Sequence, residues 1–297
     1  MDETPSLCKT CIKVGRCMKL SVVTATFNCI NAGNSDKLVR CLRSVATLAR
    51  EHEHLIMDGA SVDGTCGLIN VVKSDLKRRH KRDDILLFRE RDNGIYEALN
   101  KGFLRATGGW LYVLGSDDYI VDHSILEKSL EVGEAGDYDM IVCPVWNGES
   151  LKYVSHISRG YELVSLCYPH QGLIVKADFA RKIGCFNVSY KVCADYDFIV
   201  NALLNGARVL ICDMPFAMYN IDGFSSNNPL AHEENLKIRI NRLGLTRKES
   251  VLASVCRVLP LRVILRFMFS AFPVVRYSAR KQLLRNLAYH LGLIKRY

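Results

Sequence analysis

Residues 110–118 read Trp-Leu-Tyr-Val-Leu-Gly-Ser-Asp-Asp, an apolar run that turns at a glycine into hydroxyl and carboxyl side chains. A short run of this kind predicts a buried strand that ends in a polar loop, with a helix from Asp122 after it. The same unit occurs three times upstream. Leu20–Thr24 precedes a helical pattern over 34–50 with apolar Leu38, Leu42, Val45 and Leu48; His54–Met57 precedes a helix from Thr65; and Ile85–Phe88 precedes a helix from Gly94. Four successive βα units imply an α/β fold with a parallel sheet and helices on both faces. Ligands of such sheets lie beyond the carboxyl ends of the strands. The residues there are Thr24–Asn28, Asp58–Thr65, Arg91–Gly94 and Gly115–Asp118, and three of these four segments carry acids. Several converging carboxylates suit cations or sugar hydroxyls rather than bare phosphate. Neither Gly-x-Gly-x-x-Gly nor a Walker-type Gly-Lys-Ser/Thr follows the first strand.

Beyond about residue 137 the periodicity weakens. Short strands are expected over 138–143, 152–154, 172–175, 207–211 and 216–219, with helices near 177–183, 195–205 and 228–243. Mixed strands that extend the sheet into an acceptor-side wall account for this pattern.

The chain has 297 residues, 33.5 kDa, 49% apolar and 24% charged, so disorder and fibrous repeats are excluded. Its +9 charge is unevenly placed. Residues 251–297 hold nine Lys or Arg and no acid, leaving 31 of each sign in the first 250 residues. The 12 cysteines are scattered, and most, like Cys143, Cys212 and Cys256, stand in apolar runs, which reads as reduced core thiols in a cytosolic protein. No secretory h-region is visible near the start. Residues 1–17 read as a loose extension; Cys8, Cys11 and Cys17 fall short of a zinc-finger spacing. Met18 stands directly before the first strand, where translation is expected to begin if 1–17 are not native; an intact mass that includes them would refute this.

Each motif admits a structural role beside a chemical one. Asp117 and Asp118 could cap the next helix, or one could hold a divalent cation bridging a substrate diphosphate while the other accepts from a ribose hydroxyl. In Asp58-Gly-Ala-Ser-Val-Asp-Gly-Thr65, Asp63 or Thr65 suits a helix cap, which leaves Asp58 to accept from the ring N–H of a uracil. Asp92 stands where a cap would stand, and Asn100 and Lys101 lie two turns into the helix that follows. Asp195 could cap a helix over 196–204 or act as a general base.

Together SVVTATFN (21–28), DGASVDGT (58–65), ERDNGIYEALNKGFLRATGGWLYVLGSDD (90–118), PHQGLIVKADFARKIGCFN (169–187) and ADYDF (194–198) resemble the inverting family 2 glycosyltransferases of GT-A fold, most nearly the bacterial enzymes of O-antigen, capsule or colanic-acid-type polysaccharide synthesis. The resemblance spans about 19–226. It implies a nucleotide-binding half over 18–118, an acceptor half over 119–226, and a helical region over 227–297. It implies a nucleotide-sugar pocket lined by Thr24, Thr26, Asn28, Asp58, Asp92, Asn100, Lys101 and Asp117. It further implies Mn2+ or Mg2+ on Asp118, sugar or acceptor contacts from His170 and Gln171, and Asp195 as catalytic base. Two departures stand out: Ser116 occupies the first position of what is often Asp-x-Asp, and Ala194 replaces the Glu that normally precedes the catalytic acid. Gly223-Phe-Ser225 matches a loop that closes over the donor.

The tail over 251–291 alternates apolar residues with arginine, divided by Pro260 and Pro273, and has no uncharged stretch long enough to span a bilayer. It reads as an amphipathic segment for an anionic membrane surface, or as helices packed on the domain or on a second copy in a homo-oligomer. No nucleic-acid motif accompanies the charge. The expectation is a cytoplasmic enzyme, peripheral on the inner face of the membrane, of hexosyltransferase type. It would move a sugar from a UDP-linked donor to a lipid-linked glycan hydroxyl. A nucleotide-sugar-binding partner of an assembly complex that has lost catalysis is the alternative. A nucleotidyltransferase is disfavoured by the missing glycine-rich basic loop.

Overall fold

The computed structural model describes residues 18–147, 152–154, 169–220, 228–244 and 247. The N-terminal cysteines, Gly223–Ser225 and the basic tail lie outside the described residues.

The four expected units are present: β1 (Leu20–Thr26), α1 (Ser35–Ala46), β2 (His52–Asp58), α2 (Thr65–His80), β3 (Ile85–Arg89), α3 (Ile95–Arg105), β4 (Trp110–Val113) and α4 (His123–Ala135), with a two-residue β5 (Tyr119–Ile120) before α4. Asp122 caps α4, its carboxylate accepting from the Ile125 N–H at 3.0 Å. The second half adds β6 (Met140–Val142), β7 (Val145–Asn147), β8 (Lys152–Val154), β9 (Leu173–Lys176), α5 (Ala177–Lys182), α6 (Ala194–Leu204), β10 (Val209–Ile211), β11 (Ala217–Tyr219) and α7 (Leu230–Leu243). A seven-stranded sheet runs β10-β6-β9-β4-β1-β2-β3, and β5-β11-β7-β8 form a smaller sheet. In the larger sheet β9 alone is antiparallel to its neighbours. The mixed strands expected beyond residue 137 are present, but periodicity did not say which strand reverses, and β5 and β7 are too brief to show a period of two.

Alternation along the strands sends Val23, Leu111, Val113 and Val175 to a face covered by α3, α5, α6 and α7, and Val22, Trp110, Tyr112 and Ile174 to the other, where α1 and α4 contribute Cys41, Val45, Leu126 and Leu130. Ile238 and Leu243 place α7 in the first of these cores. The seven described cysteines are free thiols. No described helix is long and apolar enough to cross a membrane.

One buried polar contact makes stability depend on pH. Thr24 Oγ1 donates its single proton to the Leu114 carbonyl at 2.9 Å, so the His54 Nε2–H donates to Thr24 at 2.9 Å, and Nδ1 is left without a partner in the core. Burial holds this imidazole down to about 3. The unfolded chain binds a proton below its ordinary value near ~6.5 while the folded chain refuses it, so stability falls as pH drops from there toward 3. Between about pH 7 and about pH 5 this group is expected to remove roughly 2 kcal/mol. His54→Gln should reduce the pH dependence of the unfolding free energy from urea titration by that amount; an unchanged dependence would refute the assignment.

Candidate active site

The carboxyl ends of β3, β2, β1 and β4 bring Asp92, Asp58, Thr26–Asn28 and Asp117–Asp118 to one edge in that order. The reversal of β9 adds the residues that precede it. Because β9 is antiparallel to β4, with Tyr112 opposite Ile174, its starting end lies at this same edge. His170 and Gln171 therefore join the row, in a 3₁₀ turn (His170–Gly172) that leads into the strand expected over 172–175. Gly172 is required there: a Cβ would collide with the Cys143 carbonyl oxygen of the neighbouring strand. Strands spaced by ~4.8 Å make this row about 20 Å long, which suits an extended ligand.

At the β2 end Asp58 is 1% exposed and accepts three hydrogen bonds, two on Oδ2 and one on Oδ1. It accepts from the Ser61 N–H (2.8 Å) and hydroxyl (2.6 Å) and from Thr26 (3.0 Å). Asn28 adopts a left-handed φ of 46° and closes the same loop: its N–H donates to the Ser61 hydroxyl and its Oδ1 accepts from Val62. Asp63 accepts from the Thr65 N–H and hydroxyl, whereas the capping position of α2 is Gly64. Asp92 holds the Gly94 N–H at 3.0 Å, and a Cβ on Gly59 would stand 2.7 Å from its other oxygen. That glycine lets Asp92 approach the β2 loop. Beside it Phe27, which sequence reasoning passed over, lies against Gly59 with 65% of its surface exposed. An aromatic ring left open among backbone and carboxylates is the feature that distinguishes it.

Thr24, Asn100 and Lys101 are committed elsewhere. Thr24 is enclosed between β2 and β4; both ends of the Asn100 amide bond the Phe186 backbone (2.8 and 2.9 Å); and Lys101 donates to the Arg91 carbonyl at 2.6 Å and pairs with Glu97 at 3.2 Å.

The centre of the row is the carboxylate pair after β4. Asp118 is 2% exposed, and burial together with the neighbouring Asp117 charge pushes its carboxyl up to about 6, a rise that the Asn220 N–H and the Gln171 side chain only partly offset. Asn220, directly after β11, bonds both acids: its N–H reaches Asp118 Oδ1 at 2.9 Å and its amide reaches Asp117 Oδ2 at 3.0 Å. It was not legible in the sequence because its partners lie about a hundred residues away. Gly115 must lack a side chain, since a Cβ would overlap Asp118 Oδ2.

At the far end Asp195 belongs to the first turn of α6, one residue inside it, with Cys193 at the capping position rather than Asp195 itself. It is 7% exposed. Its Oδ2 meets His170 Nδ1 at 3.2 Å; its Oδ1 accepts from the Tyr196 N–H at 2.8 Å and faces the Tyr96 hydroxyl at 3.4 Å. Burial opposes protonation of His170, but the hydrogen bond to Asp195 and the negative fields of Asp195, Asp118 and Asp117 outweigh it and raise the imidazole above its usual value. The adjacent pair His170–Gln171 thus stands between the two acids that the motifs set apart: the Gln171 side chain lowers the Asp118 carboxyl slightly and His170 meets Asp195 at 3.2 Å.

Comparisons with known proteins agree with this architecture. A PGL/p-HBAD biosynthesis glycosyltransferase of Mycobacterium bovis is 28% identical over 218 residues, 70% of this chain and 81% of that protein. S. aureus TarS, solved in complex with UDP and with UDP-GlcNAc, superposes with a TM-score of 0.59 at 16–17% identity; the UDP complex covers 94% of this chain and 93% of its own. The mannosyltransferase PcManGT from Pyrobaculum calidifontis, solved with GDP-Man and Mn2+, gives a TM-score of 0.55 at 12% identity, covering 94% of this chain and 88% of its own. At such identity these structures establish the fold, GT-A. The model of "Glycosyl transferase family 2" matches residues 21–185, more than half of the sequence, and the chain belongs to that family.

Proposed function

We propose that the chain transfers a sugar, with inversion, from a UDP-linked donor to the hydroxyl of a lipid-linked glycan. The row of side chains along the strand ends carries this reading: base-recognising groups at the β2–β3 end, a carboxylate pair in the middle, and a partly buried Asp–His pair at the β9–α6 end. Phe27 offers a ring for the nucleobase, while Asp58 and Asp92 flank it. Asp117 faces the ribose, and His170 and Gln171 lie where the donor sugar meets the acceptor.

Asp195 is the base. Inversion needs one carboxylate that takes the acceptor proton as the hydroxyl attacks the anomeric carbon from the face opposite the leaving diphosphate. Oδ1 already accepts from the Tyr196 N–H and Oδ2 meets His170, and the lone pairs that remain on the carboxylate take that proton. His170 orients the carboxylate through its Nδ1, 3.2 Å from Oδ2.

The residues present fit a divalent cation. Asp118 is a buried carboxylate raised to about 6 with no cationic side chain bonded to it, and among the described residues no group of three or more His, Cys, Asp or Glu forms a complete metal cage. One or two carboxylates completed by substrate phosphates is a coordination that Mg2+ and Mn2+ accept. Asp118 would hold the ion, which when bound would neutralise charge on the departing diphosphate.

The relative named for PGL/p-HBAD biosynthesis supports a biosynthetic glycan acceptor, and the acid-free basic segment over 251–297 suits an enzyme working at the inner membrane surface. A thermal-shift panel of UDP, UDP-glucose, UDP-N-acetylglucosamine and GDP-mannose, with and without Mn2+, tests the reading by mass action. Manganese-dependent stabilisation by UDP and a UDP-sugar is expected, and stabilisation by none of the panel would overturn it. Phe27→Ala is expected to weaken UDP by about 1–3 kcal/mol, the range of base–aromatic stacking, with the fold unchanged because the ring is exposed. Unchanged UDP affinity would remove Phe27 from the pocket.

A further inference from the structure

The backbone leading into Asp195 is held by a carboxylate from a different helix. Glu234 of α7 is 6% exposed. It accepts from three consecutive N–H groups: Lys191 at 2.6 Å on one oxygen, and Val192 and Cys193, both at 2.9 Å, on the other. These three residues immediately precede α6, and Asp195 follows two positions later. Eight residues further along α7, Arg242 forms a two-pronged pair with Asp197 (2.7 and 2.8 Å) and bonds Asn201 at 3.0 Å. The same helix therefore grips the entry and the first turns of α6. The Val192 carbonyl in this gripped loop also accepts the Tyr96 hydroxyl at 2.7 Å, the group that faces Asp195.

A buried carboxylate needs strong donors to offset its desolvation, and three convergent backbone N–H groups supply them. Removing the acceptor would leave those groups unpaired and free the loop to shift. A displacement on the order of 1 Å at a reacting group is enough to cost about 10²-fold in rate.

We infer that Glu234 is a positioning residue, whose clamp on the 191–193 backbone holds Asp195 against His170 and Tyr96 in its working geometry. The inference rests on the reading of Asp195 as base. It also assigns a task to a helix outside the matched span 21–185.

Two measurements on the full chain test it. The first is hydrogen exchange: in Glu234→Gln the amides of Lys191, Val192 and Cys193 should exchange at least about tenfold faster, while β1 and β4 keep their protection. Unchanged exchange at these amides overturns the clamp whatever the chemistry. The second is a double-mutant cycle on UDP release from UDP-N-acetylglucosamine, or from whichever sugar nucleotide gives the largest thermal shift, with Mn2+. Glu234→Gln should lower kcat about 10–100-fold with the donor KM within about twofold, and add less than about threefold to the loss already caused by Asp195→Asn. Multiplication of the two losses would show that Glu234 acts independently of Asp195 and overturn the inference. Glu234→Asp, which keeps the charge, should recover part of kcat, and it takes the place of Glu234→Gln in both measurements if that variant does not fold. If Asp195→Asn itself leaves turnover intact, the base assignment fails, while the exchange result still decides the clamp.

Discussion

Asp195→Asn is expected to lower turnover about 10²–10⁴-fold, the range that a positioned general base contributes. Nucleotide binding should stay within about twofold. The substitution is close to isosteric: the amide oxygen can still accept from Tyr196 N–H, and the side chain remains enclosed between His170 and Tyr96. What disappears is the capacity to take a proton. Because Asp195 stands at the end of the row opposite Phe27 and Asp58, stabilisation by UDP should survive while release of UDP from the donor collapses. Turnover within about threefold of the parent would refute the assignment of Asp195, and with it the reading of His170 as its orienting partner.

Asp118→Asn should produce two effects of opposite sign. The donor chemistry should lose at least about 10²-fold in rate, and the stabilisation by UDP that depends on Mn2+ should vanish, because the carboxylate expected to share a cation with the diphosphate is gone. The protein without ligand should become more stable. A carboxyl raised from 3.8 to about 6 in the folded state costs stability when it is ionised, and the cost is fully present above about pH 6. Removing that charge returns at most about 3 kcal/mol near neutral pH, less whatever the altered Gln171 contact loses. Stability sacrificed for a functional carboxylate is a familiar compromise. Thermal unfolding with and without Mn2+ and UDP reads both effects, and a variant that keeps the metal-dependent increment would exclude Asp118 as the cation's ligand.

The parts of the site legible in the sequence share a property: each lies directly after a strand whose apolar run is visible. Asp58, Asp92, Asp117 and Asp118 could be placed at one sheet edge because a run of β and α patterns leaves few arrangements of a parallel sheet. The starts of α2, α3 and α4, and both ends of α6, were legible to within a residue or so. Where a residue had several potential partners, sequence spacing was silent. Asp195 reads as well as a cap as it does as a base, and only the start of α6 at Ala194, with Cys193 at the capping position, removes the first. Asn100 and Lys101 stand in a motif-bearing segment, yet their side chains hold the Phe186 backbone, the Arg91 carbonyl and Glu97.

By itself the sequence determined the α/β class, the sheet edge that gathers the candidate site and the family, because these depend on periodicity and on short motifs that survive without contacts. Tertiary structure alone decided the direction of β9, which carries His170 and Gln171 to the acids of β4. It also decided the partners of those acids, Asn220 from β11 and the Asp195–His170 pair, and the seating of α7, whose Glu234 and Arg242 secure α6. Strand polarity and helix docking are set by which apolar faces bury one another across long separations, and a chain read locally carries no record of that choice.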